Sequence, residues 1–183
     1  MGLPEILREK REALADRWRE LVLESYPPQA VAFLRQEKDG FRNPVGATIR
    51  QAIGDLTAAL IAGAGAPAAA APLDALVRMR AVQGFSPAET VGFVFHFRRA
   101  LSDVLGDELA KVRAGELLEL DTRLDEMALQ AWGRYAACRD KISEIRAREA
   151  TARTYTLLKR AGLLSDASEA VECAAGSLAE GRS

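Results

Sequence analysis

The distribution of proline most constrains how this 183-residue chain can fold. All seven prolines lie at or before Pro87, so no proline in residues 88–183 forces a helix to break. Apolar residues recur in steps of three and four, the spacing of helices with one buried face. We therefore predict an all-α protein with several short helices first and long helices afterwards. The last helix is expected from Gly115 to Gly162, and it should either kink near Gly133 or project beyond the core.

Local signals predict the helix boundaries in the first half. One helix is expected from about Pro4 to Ser25, because its apolar residues share one face and prolines follow it. Asn43 before Pro44 is a strong start signal, and Ser86 with Glu89 forms a capping-box pattern.

Two further boundaries are less sharply marked. Residues 63–71 consist of alanine, glycine and proline, which is typical of a surface linker, and we expect Pro72 to open the next helix. The helix that begins at Pro87 is expected to run to about Leu105 without interruption.

The long C-terminal helix carries a stripe of apolar residues that approaches a heptad pattern. The stripe consists of Leu124, Ala128, Ala131, Tyr135, Cys138, Ile142 and Ile145. Part of it must pack on the protein's own core. A helix of roughly 70 Å is too long for a bundle of this size to cover, so its far end should expose Ile142, Ile145, Leu157 and Leu158. These residues predict a homodimer interface, and the alternative is a monomer whose helix bends back after about Ala147.

Arg80 is a charged residue at a position of the helix that otherwise faces the core. It shares a side with Leu73, Leu76 and Val77, so its guanidinium should enter apolar surroundings and need a partner. We predict a structural ion pair with Asp121 or Asp125. The alternative is a site for a ligand or a protein partner formed by Arg78, Arg80 and Gln83.

His96 is the only histidine, and any catalytic or haem site of common type would have to include it. On a helix from Pro87 it falls on the polar face, which predicts a surface histidine rather than a haem ligand. No nucleophile–base pair, phosphate-binding glycine motif or cluster of metal ligands is visible. We therefore expect no enzymatic activity, no cofactor and no metal.

Charge and hydropathy exclude further classes of function. The 25 basic and 26 acidic side chains nearly balance, so binding to nucleic acid is not expected. Residues 58–71 form the longest alanine-rich run, which glycine and proline interrupt, so insertion into a membrane is not expected either. Without a signal-peptide pattern at the start, the sequence predicts a cytoplasmic protein.

Six blocks of sequence stand out in a fixed order along the chain: Leu21–Pro27, Lys38–Gly46, Val77–Pro87, Val91–Phe95, Leu124–Leu129 and Cys138–Ile142. Together they resemble the RsbRD N-terminal domain family, the sensor domains of stressosome RsbT co-antagonists. The resemblance implies a globin-like helical bundle without haem that forms dimers and passes its signal to a STAS domain or a kinase. Because nothing after residue 162 could form a STAS sheet, we expect a standalone sensor domain over residues 1–162 and a weakly ordered tail over 163–183.

The resemblance also implies a function. Standalone copies in this family are associated with sulfur-metabolising bacteria and a membrane redox complex. We therefore predict a non-catalytic regulatory domain that acts through protein–protein contacts, with a link to sulfur or redox metabolism and an unknown protein partner. The alternative is an assembly subunit of a larger complex with no ligand of its own. A thermal-shift screen would separate the two, because a ligand that binds only the native state raises the melting temperature.

Overall fold

The structure is a computed structural model, and it describes residues 2–37, 39–63 and 66–162. Every regular element in these residues is helical, which confirms the all-α prediction. The elements are α1 (Leu3–Glu9), α2 (Arg11–Leu23), α3 (Pro28–Gln36), α4 (Pro44–Ala62), α5 (Ala66–Val82), α6 (Pro87–Gly92), α7 (His96–Leu105), a short 3-10 helix (Gly106–Lys111) and α8 (Ala114–Arg160).

The chain divides into two compact units, residues 1–139 and 140–183. The core of the first unit lies between α2 and its neighbours, because α2 packs on both α4 and α7 while α4 also packs on α5. Trp18 of α2 is fully buried at the centre of this core, with Phe93 and Phe97 against its ring. The apolar stripes of the individual helices thus meet in one core, as their three-and-four spacing predicts.

Both predicted helix starts are confirmed. The Asn43 side-chain oxygen accepts from the Gly46 amide at 2.8 Å, and its amide group donates to the carbonyls of Leu34 and Glu37. The Ser86 hydroxyl accepts from the Glu89 amide at 3.2 Å, while the Glu89 carboxylate accepts from the Ser86 amide at 2.9 Å. Each cap satisfies backbone donors that the helix itself leaves free.

Two predicted boundaries in the first half are wrong. The expected helix from Pro4 to Ser25 is interrupted at Lys10, which separates α1 from α2. Apolar residues stay in phase across the interruption, so their spacing carries no sign of it. The expected linker is helical from Ala66, and Pro72 lies inside α5 instead of opening it. The strong helix propensity of the alanines, together with burial of Ala69, outweighs the one backbone hydrogen bond that Pro72 cannot donate.

The predicted long C-terminal helix is confirmed, since α8 runs over 47 residues. Of the possibilities left open by the sequence, a break at Gly133 is not found, because the helix continues through that residue. Its stripe is buried in the first unit at Leu124, Ala128, Ala131 and Tyr135. In the second unit Ile142 is half-buried, and Ile145, Leu157 and Leu158 are exposed by 48%, 59% and 36%. Within the residues that the structure describes, no helix is long and apolar enough to cross a membrane.

Candidate functional site

The strongest candidate for a functional site is built around Arg80, near the C-terminal end of α5. Its side chain is fully buried, as its position beside Leu73, Leu76 and Val77 predicts. Its Nη1 donates to the backbone carbonyl of Glu89 at 2.7 Å. A buried guanidinium is stable only where such acceptors replace the water it has lost.

The other terminal nitrogen of Arg80 reaches the end of α2. Nη2 donates to the Val22 carbonyl at 3.2 Å and to the Ser25 hydroxyl oxygen at 2.7 Å. One side chain on α5 therefore links the end of α2 to the turn that precedes Phe93. Its acceptors near α2 lie 58 and 55 residues away in sequence, and the acceptor at Glu89 lies nine residues away.

Three aromatic rings surround the Arg80 guanidinium. Its central carbon lies 5.3 Å from the ring centre of Tyr26, 4.9 Å from that of Phe85 and 5.9 Å from that of Phe93. The negative faces of aromatic rings attract a cation, most strongly where water is excluded. We call Arg80 with these three rings the arginine cage.

The predicted ion pair of Arg80 with Asp121 or Asp125 is wrong. Both carboxylates instead accept from Arg98 of α7, at 2.8 and 2.7 Å. Arg98 is the guanidinium that faces α8, whereas Arg80 faces the end of α2 and the α6 segment. Helical spacing shows which face a residue occupies, but not which neighbouring helix that face meets.

Burial alters the acidity of the groups in the cage. It lowers the pKa of Arg80 from its ordinary value, an effect that Tyr26 and Glu89 partly oppose. It raises the pKa of the Tyr26 phenol, which the charge of Arg80 in turn lowers. Because arginine keeps its proton in proteins, the cage encloses a cation with neutral acceptors around it.

Three buried polar atoms near the cage have no hydrogen-bond partner in the described part of the chain: Arg80 Nε, Thr90 Oγ1 and His96 Nδ1. Thr90 directly follows the residue whose carbonyl accepts from Arg80. Burial lowers the pKa of the His96 imidazole, and the charge of Arg80 lowers it further. Of these three atoms, one thus belongs to Arg80 itself and one to the residue that follows its acceptor Glu89.

His96 is half-buried, so the predicted surface histidine is only partly exposed. The predicted helix from Pro87 to Leu105 is interrupted between α6 and α7, where five successive backbone amides, from Val94 to Arg98, donate to the third residue before them. A 3-10 helix rotates by about 120° per residue, whereas an α-helix rotates by about 100°. Over five residues, the side chains of α7 are therefore rotated by roughly 100° from the positions that a continuous α-helix from Pro87 would give them. Trp18 holds this segment in place, because its indole Nε1 donates to the Phe93 carbonyl at 2.7 Å.

The other residues of the predicted binding site lie outside the cage. Gln83 is exposed, and its side-chain oxygen accepts from the Tyr26 hydroxyl at 3.2 Å. Arg78 is exposed on another face of α5, where it pairs with Asp74 at 2.8 Å. The structure therefore brings Gln83 to the edge of the cage and leaves Arg78 apart from it.

Sequence reasoning missed the residues that enclose Arg80, namely Ser25, Tyr26, Phe85 and Phe93. A signal for two of them was present, because Tyr26 precedes a proline and Phe85 follows a glycine where helices end. Aromatic residues at helix ends are well placed to cover the end of a neighbouring helix. Among the described residues, no three histidine, cysteine or acidic side chains come together as metal ligands.

Comparison with known proteins gives one finding. The model of the RsbT co-antagonist protein rsbRD N-terminal domain matches residues 12–150. No curated protein and no solved structure matched the chain. The matched range contains the entire arginine cage and α8 as far as residue 150.

Proposed function

The chain belongs to the RsbRD N-terminal domain family, and from that premise we propose that it is a non-catalytic sensor domain that acts through protein–protein contacts. The observation that carries the proposal is the family match over residues 12–150, more than half of the chain. The family is one of regulatory domains. The globin-like arrangement of the helices, the cytoplasmic location and the link to sulfur or redox metabolism stay predictions.

The apolar side chains of the second unit support contact with another protein. Ile145, Leu157 and Leu158 are each more than a third exposed, on a helix segment rich in charged residues. Leu157 and Leu158 are neighbours in the chain, whereas Ile145 lies about 18 Å farther along the helix axis. Exposed apolar groups mark interfaces where they form a patch, as Leu157 and Leu158 do. This unit is therefore where we expect the output of the domain.

A homodimer through Ile142, Ile145, Leu157 and Leu158 stays a prediction. At about 100° per residue, the first three side chains share an arc of about 120°, and Leu158 falls on the opposite side of the helix. Only the first three can thus contribute to one seam. Light scattering of the purified chain decides the state of association, because a mass near 19.8 kDa is that of one chain. If a dimer forms, Ile142→Glu with Ile145→Glu should dissociate it and preserve helicity.

The ligand contact through Arg78, Arg80 and Gln83 also stays a prediction. Arg80 is enclosed, so a ligand would first meet Gln83 and the Tyr26 hydroxyl at the edge of the cage. Thermal-shift screening of the wild-type chain beside Gln83→Ala would test this route. A compound that raises the melting temperature of the wild type alone would support it.

The proposed regulatory function can be tested in cells that carry the gene. We would compare transcript profiles of the wild type, a deletion strain and strains with Ile142→Glu plus Ile145→Glu or with His96→Gln, each variant at wild-type abundance. A regulator that works through contacts of the second unit predicts that the isoleucine variant resembles the deletion strain, while His96→Gln resembles the wild type. If His96→Gln resembles the deletion strain and the isoleucine variant does not, an enzymatic role centred on the histidine is the better account.

A further inference from the structure

A groove lies between α2 and α4, two helices of the first unit that pack against each other. It consists of two adjoining cavities of about 420 and 500 Å³, a size typical of small-molecule sites. On α4 the groove is lined by Gly46, Arg50 and Gly54, each about one helical turn from the next. A Cβ atom at Gly54 would meet no other atom within 4 Å, so space remains beside Arg50, which lines both cavities. We call these two cavities together the Arg50 groove.

The guanidinium of Arg50 lacks a polar partner in the described part of the chain. Its side chain is half-buried, yet among those residues it has no hydrogen bond and no ion pair. Two carboxylates that line the smaller cavity are already held by other arginines. Asp16 pairs with Arg19 at 2.9 Å, and Glu20 pairs with Arg35 at 2.6 Å. A guanidinium that has lost part of its water is stabilised when an acceptor replaces that water, and here the acceptor can come from a ligand.

The lining of the Arg50 groove carries one positive charge in excess. Four arginines and three carboxylates line it: Arg11, Arg19, Arg35 and Arg50 with Glu12, Asp16 and Glu20. A ligand with one negative charge would neutralise this lining, whereas a doubly charged phosphate would leave an excess of negative charge. The planar guanidinium binds a carboxylate through two parallel hydrogen bonds, so a carboxylate fits both the charge and the geometry of arginine.

The two cavities differ in their uncharged lining. The smaller one has an apolar floor, formed by the buried side chains of Leu23, Leu34 and Ile49 from α2, α3 and α4. In the larger one the uncharged lining residues are Ala15 and Gly54. An apolar group is therefore better accommodated in the smaller cavity, and an anionic group is better accommodated at Arg50, where the cavities meet.

We propose that the Arg50 groove binds a small organic molecule that bears one carboxylate. The carboxylate pairs with the Arg50 guanidinium, and the apolar body of the molecule occupies the smaller cavity. The inference deepens the proposed function and rests on it, because such a ligand would be the signal to which the sensor domain responds. The groove is separate from the arginine cage, since Arg80 and its three rings line neither cavity.

Nuclear magnetic resonance of the full-length chain, with sodium benzoate as the probe, tests the proposal. The amide signal of Gly46 should shift most and that of Gly54 less, because Gly46 lines the smaller cavity and Gly54 the larger one. The signals of Gly92 and Gly133, which line neither cavity, should stay in place. Sodium chloride keeps the ionic strength constant, so that the screening of surface charges does not change during the titration. We expect a dissociation constant on the order of 1 mM.

Three variants test whether Arg50 is the binding group. Arg50→Gln should weaken benzoate binding at least about tenfold, because it removes a charge-assisted pair. Arg50→Lys keeps the charge without the planar fork and should weaken binding less. Arg153→Gln makes the same change in net charge at an exposed position of the second unit and should leave the affinity unchanged. All three should retain the helical circular dichroism of the wild type, so that a loss of binding cannot be attributed to a loss of folding.

Two further probes separate the contribution of the carboxylate from those of the ring and of charge alone. Benzyl alcohol has the ring without the carboxylate and should bind at least about tenfold more weakly than benzoate. Inorganic phosphate at the same concentration should leave the Gly46 signal in place. The proposal is overturned if benzyl alcohol binds as tightly as benzoate, if phosphate binds more tightly, or if Arg50→Gln binds benzoate like the wild type. None of these outcomes depends on the transcript profiles, so the binding site and the regulatory function can fail separately.

Discussion

Replacing Arg80 tests whether the arginine cage stabilises the fold. Arg80→Met keeps a long, unbranched side chain and removes the guanidinium. The variant loses three donated hydrogen bonds, to Glu89, Val22 and Ser25, and the contacts with three aromatic rings. Hydrogen bonds from charged groups contribute about 1.5–3 kcal/mol each, and a desolvated cation–π contact contributes about 2 kcal/mol.

The gross loss is partly offset, because the variant no longer buries a charge, and burial of an ion costs several kcal/mol. Val22 also keeps a donor, since its carbonyl accepts from the Ser25 hydroxyl at 2.6 Å. We therefore expect Arg80→Met to lower the free energy of unfolding by about 3 kcal/mol. For a chain of this size that corresponds to a melting temperature lower by roughly 10 °C.

Arg78→Met is the matched control two residues away. Arg78 is exposed and pairs only with Asp74 one helical turn earlier, a kind of pair that contributes about 0.3–0.5 kcal/mol. Denaturant unfolding should be followed both by far-ultraviolet circular dichroism and by tryptophan fluorescence, because coincident transitions justify a two-state free energy. If the free energies of unfolding of the two variants agree within about 0.5 kcal/mol, the cage does not contribute as the geometry indicates.

Three further substitutions test other parts of the account. Ser86→Ala should lower the free energy of unfolding by about 1 kcal/mol through loss of the helix cap, whereas Ser143→Ala, at an exposed helical position, should change it little by the same denaturation measurement. Gly46→Ala should be destabilising in thermal melts, because a Cβ there would lie 2.8 Å from the Asn43 side-chain carbon, and an unchanged melting temperature would contradict the observed cap. Burial and the charge of Arg80 lower the pKa of His96 in the folded state, so the unfolded chain binds the proton more readily and stability should fall as the pH drops below about 6.5. His96→Gln should remove that part of the pH dependence, measured by denaturation between pH 7.5 and 5; an unchanged slope would show that His96 is not its source.

The features predicted correctly from the sequence are those set by residues close together in the chain. The caps at Asn43 and Ser86 are local, and so is the absence of helix-breaking residues in α8. Burial of Arg80 also follows from its spacing to Leu73, Leu76 and Val77. Each of these depends on helical periodicity or on backbone groups within a few residues.

What could not be predicted depends on contacts between distant segments. The acceptors of Arg80 at Val22 and Ser25 lie 58 and 55 residues away. The 3-10 segment between α6 and α7 is held by Trp18, 75 residues before Phe93. Periodicity shows which face of a helix is buried, but the neighbour that meets this face is a property of the whole fold.

The central claim is that the chain acts through protein contacts made by the second unit. In-cell photo-crosslinking tests it most directly, with a photoreactive amino acid at position 145 in one strain and at the exposed Gln51 of α4 in another. We expect one discrete heavier adduct from position 145, absent from position 51 and lost when Ile142→Glu is added. No adduct from position 145, or the same adducts from both positions, would contradict it.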